Sequence, residues 1–288
     1  MCKTCIILAN FGTTHLNGLK SILNIKREIS NSFKNIPVKV TFTSNIIRRI
    51  WKKRKNEKEK WLKLGIPEDI LNVKGIISTI GEAIEEEFEN IIVQPTHLFY
   101  MEQVHDLYSY IKAFQSIKTM QKKWMPFKKI VMGRPALGMF SDKYYYLNDM
   151  KKAILTLKDD VEQAENKKAS LFYMAHGNKN FPNGIFYEIE DMFNEIYNNV
   201  NIVIACVEGN PCFEKSIKKL KNQKILLKPF MTVAGVHAEE DMTEWRDKLI
   251  ENGFSVEIIK KGLGENNDFA KIFVEHIKDV ASDNEIEI

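Results

Sequence analysis

What this chain of 288 residues has little of narrows its chemistry first. Its four cysteines, Cys2, Cys5, Cys206 and Cys212, are too few for the disulfide framework of a small secreted scaffold. The stretch "CKTC" is a C-x-x-C pair, but no second pair exists to complete a zinc site, so the thiols read as structural. No apolar run reaches the roughly 18 residues of a membrane-spanning helix. The N-terminal apolar run stops at Asn10 without a cleavage-site pattern and reads as a strand rather than a signal peptide, which makes the cytoplasm the expected compartment. Charge of one sign is also scarce: a net charge of +4 is too weak to argue for nucleic acid, yet compatible with an acidic small molecule. Neither a Walker pattern nor G-x-G-x-x-G is present, so nucleotide binding is not indicated.

What is there is a steady alternation of short β-rich runs with amphipathic helical stretches, the sequence form of an α/β fold with mainly parallel strands. The first half offers "TCIILANF", "VKVTFTS", "NIIVQP" and "KIVMGRP" as strands; the second offers "ASLFYMAH", "VNIVIACVEG", "KILLKPFM" and "SVEIIKKG". The halves read as degenerate copies. "ILANFGTT" and "FYMAHGNK" each run from a strand through a ring-bearing residue and a glycine into polar residues. "IIVQPTH" and "ILLKPFM" each end a strand in a polar residue and proline, and "VMGRPALG" and "IKKGLGE" close the two series. Duplication predicts two similar lobes, each with a four-stranded mainly parallel sheet flanked by helices, spanning 1–140 and 141–288 with a cleft between them. The basic stretch "IIRRIWKKRKNEKEKWLKLGIP" is expected to be a solvated amphipathic helix. No stripe among the many helices decides an oligomeric state, so a homo-oligomer is left open.

In open parallel sheets, ligands bind beyond the carboxyl ends of the strands. In the second half His176, Glu208 and His237 follow successive strands, about one strand-helix-strand unit apart, so all three can share a pocket. Two imidazoles and a carboxylate suit a borderline divalent ion such as cobalt, nickel, iron or zinc. The same groups also accept protons near neutral pH. Gly177 lets backbone or ligand approach closely. In the first half Gly12, Thr13 and Thr14 form a strand-to-helix turn whose N–H groups and hydroxyls suit a carboxylate or phosphate. His97, with Tyr100 and Glu102, is expected on the opposite wall. His15, His105 and His276 are assigned to surface or structure.

Taken together, "FGTT", "FTSNII", "VQPTH", "GRP", "AHG", "VEGNP", "PFMTVAGVHAEEDM" and the late "GLGE" resemble, in order and almost end to end, the anaerobic cobalt chelatases (the CbiK-type, class II tetrapyrrole chelatases). The resemblance implies the bilobal chelatase fold and insertion of Co2+ into sirohydrochlorin or precorrin-2 in anaerobic cobalamin biosynthesis. It places the family's metal-handling residues on His176, Glu208 and His237. The divalent ion is then a substrate, the partner is an anionic tetrapyrrole, and no organic cofactor, nucleic acid or membrane is called for. The chain departs from the family where "HG" is followed by "NKNFPNG" instead of threonine and a second histidine, and at Met101 and Val236. These departures leave open a ferro- or nickel-chelatase acting on a related tetrapyrrole, and a haem- or tetrapyrrole-binding protein on the same fold.

Overall fold

A computed structural model describes residues 3–288, except for the side chains of residues 236–239; Cys2 and the side chain of His237 therefore lie outside the described residues. The first half runs β1 (Thr4–Asn10), α1 (Leu16–Ser32), β2 (Val38–Phe42), α2 (Asn45–Arg54), α3 (Lys58–Lys63), α4 (Glu68–Leu71), α5 (Ile76–Glu85), β3 (Asn90–Pro95), α6 (Glu102–Gln115) and β4 (Lys129–Met132). The second runs α7 (Tyr146–Leu155), α8 (Lys158–Asn166), β5 (Ala169–Gly177), α9 (Ile185–Ile196), β6 (Ile202–Glu208), α10 (Phe213–Ser216), β7 (Lys224–Pro229), α11 (Val236–Glu251), β8 (Ser255–Ile258) and α12 (Asn267–Asp283). All eight expected strands form.

They make two four-stranded parallel sheets of the same topology, β2-β1-β3-β4 and β6-β5-β7-β8. The internal repeat holds at the level of register. Ala9 pairs with Pro95 as Met174 pairs with Pro229, so Phe11 and His176, two residues further on, are counterparts, as are Gly12 and Gly177. The closing loops repeat as well. Ala136 and Leu137 donate their N–H groups to the carbonyls of His97 and Leu98, while Leu263 and Gly264 donate to those of Met231 and Thr232.

Side-chain alternation along the central strands joins the lobes. Ile6, Leu8 and Ile92 from one sheet and Leu171, Tyr173, Ile204 and Leu226 from the other enter a single buried cluster with residues of α1, α7, α9 and α12. The opposite faces are covered separately, around Ile7, Ile91 and Val93 in the first half and around Phe172, Met174 and Val203 in the second. Period-two alternation of a strand buried on both faces accounts for this division. The last helix, α12, packs on α1, α7 and β3. Among the described residues no helix is long and apolar enough to cross a membrane.

The polar residues ahead of the strand-ending prolines turn inward and find partners there, although Gln94 Oε1 stays buried without one. Gln94 Nε2 donates to the carbonyls of Pro95 and Arg134, both at 2.8 Å. Lys228 Nζ lies 2.6 and 2.5 Å from the two carboxylate oxygens of Asp160, which also accepts from the Tyr173 hydroxyl at 2.9 Å. Such pairing is what makes a buried ammonium tolerable. The expected basic helix is broken into α2 and α3 by a short 3-10 turn at Lys55–Glu57. The break folds Trp61 back on Trp51, with the Arg54 guanidinium over both rings at 4.3 and 4.6 Å. Stacking between two indoles stabilises the bend that a continuous helix would forgo. The buried thiols of Cys5 and Cys206 are both pushed up to about 12 by desolvation, as structural cysteines should be.

Candidate active site

Because β5 lies between β6 and β7, the carboxyl ends of three neighbouring strands meet at one edge of the second sheet. His176 is the penultimate residue of β5, exposed where the residues before it are buried. Its Nδ1 is 3.0 Å from the Gly177 carbonyl oxygen. A carbonyl only accepts, so Nδ1 carries the proton that faces Gly177, and Nε2 is the nitrogen turned away from that bond.

Gly177 adopts φ 71°, and a Cβ there would lie 2.0 Å from the Glu208 carbonyl oxygen. Its counterpart Gly12 adopts φ 98°, and a Cβ there would lie 2.7 Å from the Phe42 ring. Only glycine fits either position. Gly177→Ala is expected to cost about 1–3 kcal/mol from backbone strain alone, with the clash added to it. A lowered thermal midpoint in a melting experiment checks this; an unchanged one would show that the strand ends can separate freely.

Gly177 pairs with Glu208, the last residue of β6, which places the Glu208 backbone beside that of His176. The Glu208 carboxylate is one-third exposed and has Lys179 Nζ 3.2 Å from Oε1. Its backbone carbonyl accepts from Asn183 Nδ2 at 3.0 Å. His237 falls on the first turn of α11, just after Gly235. Among the described residues no three metal-capable side chains come together; the expected third member is the undescribed His237.

The first half supplies the facing elements. Thr13 is buried, its Oγ1 accepts from the His15 N–H at 3.1 Å, and a Cβ on Gly235 would lie 3.7 Å from that oxygen. The turn Gly12–Thr14 thus sits against the loop that leads to His237. Its carbonyls are occupied, that of Thr13 by Trp51 Nε1 at 2.7 Å and that of Thr14 by Arg54 Nη1 at 2.6 Å. Sequence reading missed Trp51 and Arg54 because it took their segment as solvated surface. Their signal was the i, i+3 spacing of an indole and a guanidinium. The following helix α1 has no acidic residue in its first turn, so its positive end is not offset there.

His97 follows β3. Both of its ring nitrogens are sealed from water without a hydrogen-bond partner, and burial lowers its pKa to about 4. The imidazole is therefore neutral across the physiological range. Glu102, in the first turn of α6, reaches across to the second half. It accepts from Asn178 Nδ2 at 3.0 Å and Asn180 Nδ2 at 2.9 Å, and these bonds hold its pKa below the usual carboxylate value. The residues after His176 that sequence reading could not place are thus the bridge between the halves. A separate hollow of about 710 Å³, walled by Phe99, Tyr100, Phe140 and Tyr144 on one side and Pro182 and Ile185 on the other, borders this bridge. Of the expected residues Tyr100 lines it, while Gly12, Thr13, Thr14, His97, Glu102, His176, Gly177 and Glu208 do not.

Comparison with known proteins agrees with this fold. The sirohydrochlorin cobaltochelatase CbiKC of Nitratidesulfovibrio vulgaris is 20% identical over 285 residues, covering 96% of this chain and 90% of that one. The sirohydrochlorin cobaltochelatase of Salmonella typhimurium is 20% identical over 284 residues, covering 96% and 95%. The structure of SirB from Bacillus subtilis with Fe3+ superposes with a TM-score of 0.64 at 13% identity, covering 98% of this chain and 97% of that one, which shows the chelatase fold. A model of the cobalt chelatase (CbiK) family matches residues 4–282, and the chain belongs to that family of metal chelatases.

Proposed function

We propose that this chelatase inserts Co2+ into sirohydrochlorin, or into precorrin-2, as a step of anaerobic cobalamin biosynthesis. The observation that carries the reading is His176 at the end of β5, its Nδ1 turned to the Gly177 carbonyl, beside Glu208 at the end of β6. Insertion requires the ion to shed water while two pyrrole N–H protons leave the ring. The balance is one divalent ion in and two protons out, so the macrocycle's charge is unchanged. A neutral imidazole suits either half of that exchange, as a ligand that holds the partly dehydrated ion or as the acceptor of a departing proton. Glu208 offsets the ion's charge, and His237 is proposed as the second imidazole.

The macrocycle's carboxylates are assigned to the turn Gly12–Thr14. Arg54 at Thr14 and the uncompensated start of α1 supply positive potential there. His97, neutral and with both nitrogens unpartnered, is assigned to the macrocycle's wall rather than to proton transfer. Gly177 keeps the floor beneath His176 thin. No nucleotide or organic cofactor enters this scheme. A second reading, Fe2+ or Ni2+ on a related tetrapyrrole, is favoured by the residues after His176, where this chain departs from its family's pattern.

Glu208→Gln tests the reading. It is expected to weaken Co2+ binding by roughly tenfold or more, about the 1.4 kcal/mol of one lost charge-assisted contact, with macrocycle affinity changed much less. Calorimetric titration of the metal and absorbance titration of the macrocycle separate the two. Equal losses of both would mean that Glu208 packs the cleft instead of holding metal.

A further inference from the structure

We propose that Lys179 is a built-in competitor for the metal ion, occupying Glu208 when the cleft is empty and returning to it when the ion passes to the macrocycle. This inference rests on the assignment of Glu208 as a metal ligand. Lys179 Nζ is 3.2 Å from Glu208 Oε1, and the lysine lies in the stretch where this chain abandons its family's pattern.

The placement of the ammonium is built by its neighbours. Asn178 Oδ1 accepts from the N–H groups of Asn180 at 2.6 Å and Phe181 at 3.0 Å, which closes the turn that carries Lys179. Asn183 Nδ2 donates to the carbonyls of Asn178 and Glu208, both at 3.0 Å, tying that turn to the end of β6. Glu102 holds Asn178 and Asn180 from the opposite half. A braced turn therefore delivers the lysine to the carboxylate, while the lysine side chain itself is 73% exposed. An exposed ammonium on a flexible stem swings into water at little cost.

Consider what this does in a chelatase. The site must attract a divalent ion and then give it up. If Glu208 were unpartnered in the empty state, transfer of the ion would leave a bare carboxylate, and the ion would be held correspondingly tightly. With Lys179 at hand, the arriving ion displaces an ammonium, and the departing ion is replaced by one. The carboxylate is paired at both ends of the cycle. The lysine thus lowers resident metal affinity and favours release to the ring.

The test is anaerobic calorimetric titration of the full chain with Co2+ alone. The proteins compared are the wild type, Lys179→Ala, Glu208→Gln, the double variant, and Lys224→Ala as a control that removes an exposed lysine from the far end of β7. Lys179→Ala is expected to tighten Co2+ binding by about two- to fivefold, the range of an exposed ion pair. It should have no effect in the Glu208→Gln background, and Lys224→Ala should change nothing. Unchanged affinity in Lys179→Ala, while Glu208→Gln still weakens binding, overturns the role of Lys179 alone. Equal tightening in both backgrounds, or in Lys224→Ala, reduces the effect to general charge and overturns it too. If Glu208→Gln does not weaken Co2+ binding, the metal-site assignment falls and the inference with it.

Discussion

Replacing His176 by alanine is expected to lower metal insertion by about 10²–10⁴-fold, the usual contribution of a positioned acid–base group, while leaving the fold intact. The side chain is exposed, and its one hydrogen bond is local, from Nδ1 to the adjacent Gly177 carbonyl. Removing it opens no cavity and orphans no buried donor, so the stability change should stay within about 0.5 kcal/mol. Turnover measured beside a thermal melt separates the two effects. Full activity in this variant would remove the mechanism proposed here, whereas loss of activity together with loss of fold would make His176 a structural residue. His237→Ala is expected to abolish insertion as well.

The largest expected effect on stability lies away from the cleft. Arg134, just after β4, places its guanidinium on the Asp149 carboxylate of α7, with Nε to Oδ2 at 2.6 Å and Nη2 to Oδ1 at 3.0 Å. It also meets Asp279 of α12 at 2.8 Å and stacks over the Tyr144 ring at 4.0 Å. His276 of α12 completes the cluster, with Nδ1 3.0 Å from the Arg134 carbonyl oxygen and Nε2 3.4 Å from Asp149 Oδ1. Arg134 and Asp149 are almost wholly buried. Arg134→Met is therefore expected to cost about 3–5 kcal/mol by stranding a buried carboxylate. That is a drop in melting temperature on the order of 10 °C for a chain of this size.

The same cluster sets an acid limit. Burial raises the pKa of Asp149, but its interactions with His276 and Arg134 outweigh this and bring it down to about 2 from 3.8. A folded value below the unfolded one means that the stabilisation is complete above about pH 4 and is lost as pH falls towards 2. In Arg134→Met the carboxylate loses its bidentate partner, so the variant's deficit should be full at pH 7 and shrink as pH falls below about 4. Denaturant titrations at pH 7 and along an acid series check both points. An unchanged denaturation midpoint at pH 7 would mean that the pair contributes nothing to the folded state.

The eight strands were readable because each is a short apolar run bounded by glycine, proline or polar residues, and even the four-residue edge strands β4 and β8 carry those boundaries. The equivalence of Gly12 and Gly177 was readable for a different reason. Two copies of one pattern had to put the same kind of strand end in the same place, and the registers Ala9 to Pro95 and Met174 to Pro229 show that they do. Contacts between distant segments were not readable. Nothing local in "MEQ" or "GNKN" announces that Glu102 accepts from Asn178 and Asn180, since a carboxamide and a carboxylate suit solvent equally well. The broken helix escaped for the same reason: the stacking of Arg54 between Trp51 and Trp61 outweighs helical periodicity, and pairwise stacking has no period. The core shared between the sheets depends on which parity of each strand faces inward, which a strand buried on both sides does not reveal.

The most direct test of the central claim is an anaerobic absorbance assay of the purified protein with sirohydrochlorin, offered Co2+, Fe2+ and Ni2+ in turn, with His176→Ala as control. The account predicts rapid spectral conversion, fastest with Co2+, that disappears in the variant. Tight binding of the macrocycle with no conversion by any of the three ions, or conversion that survives the loss of His176, would contradict it.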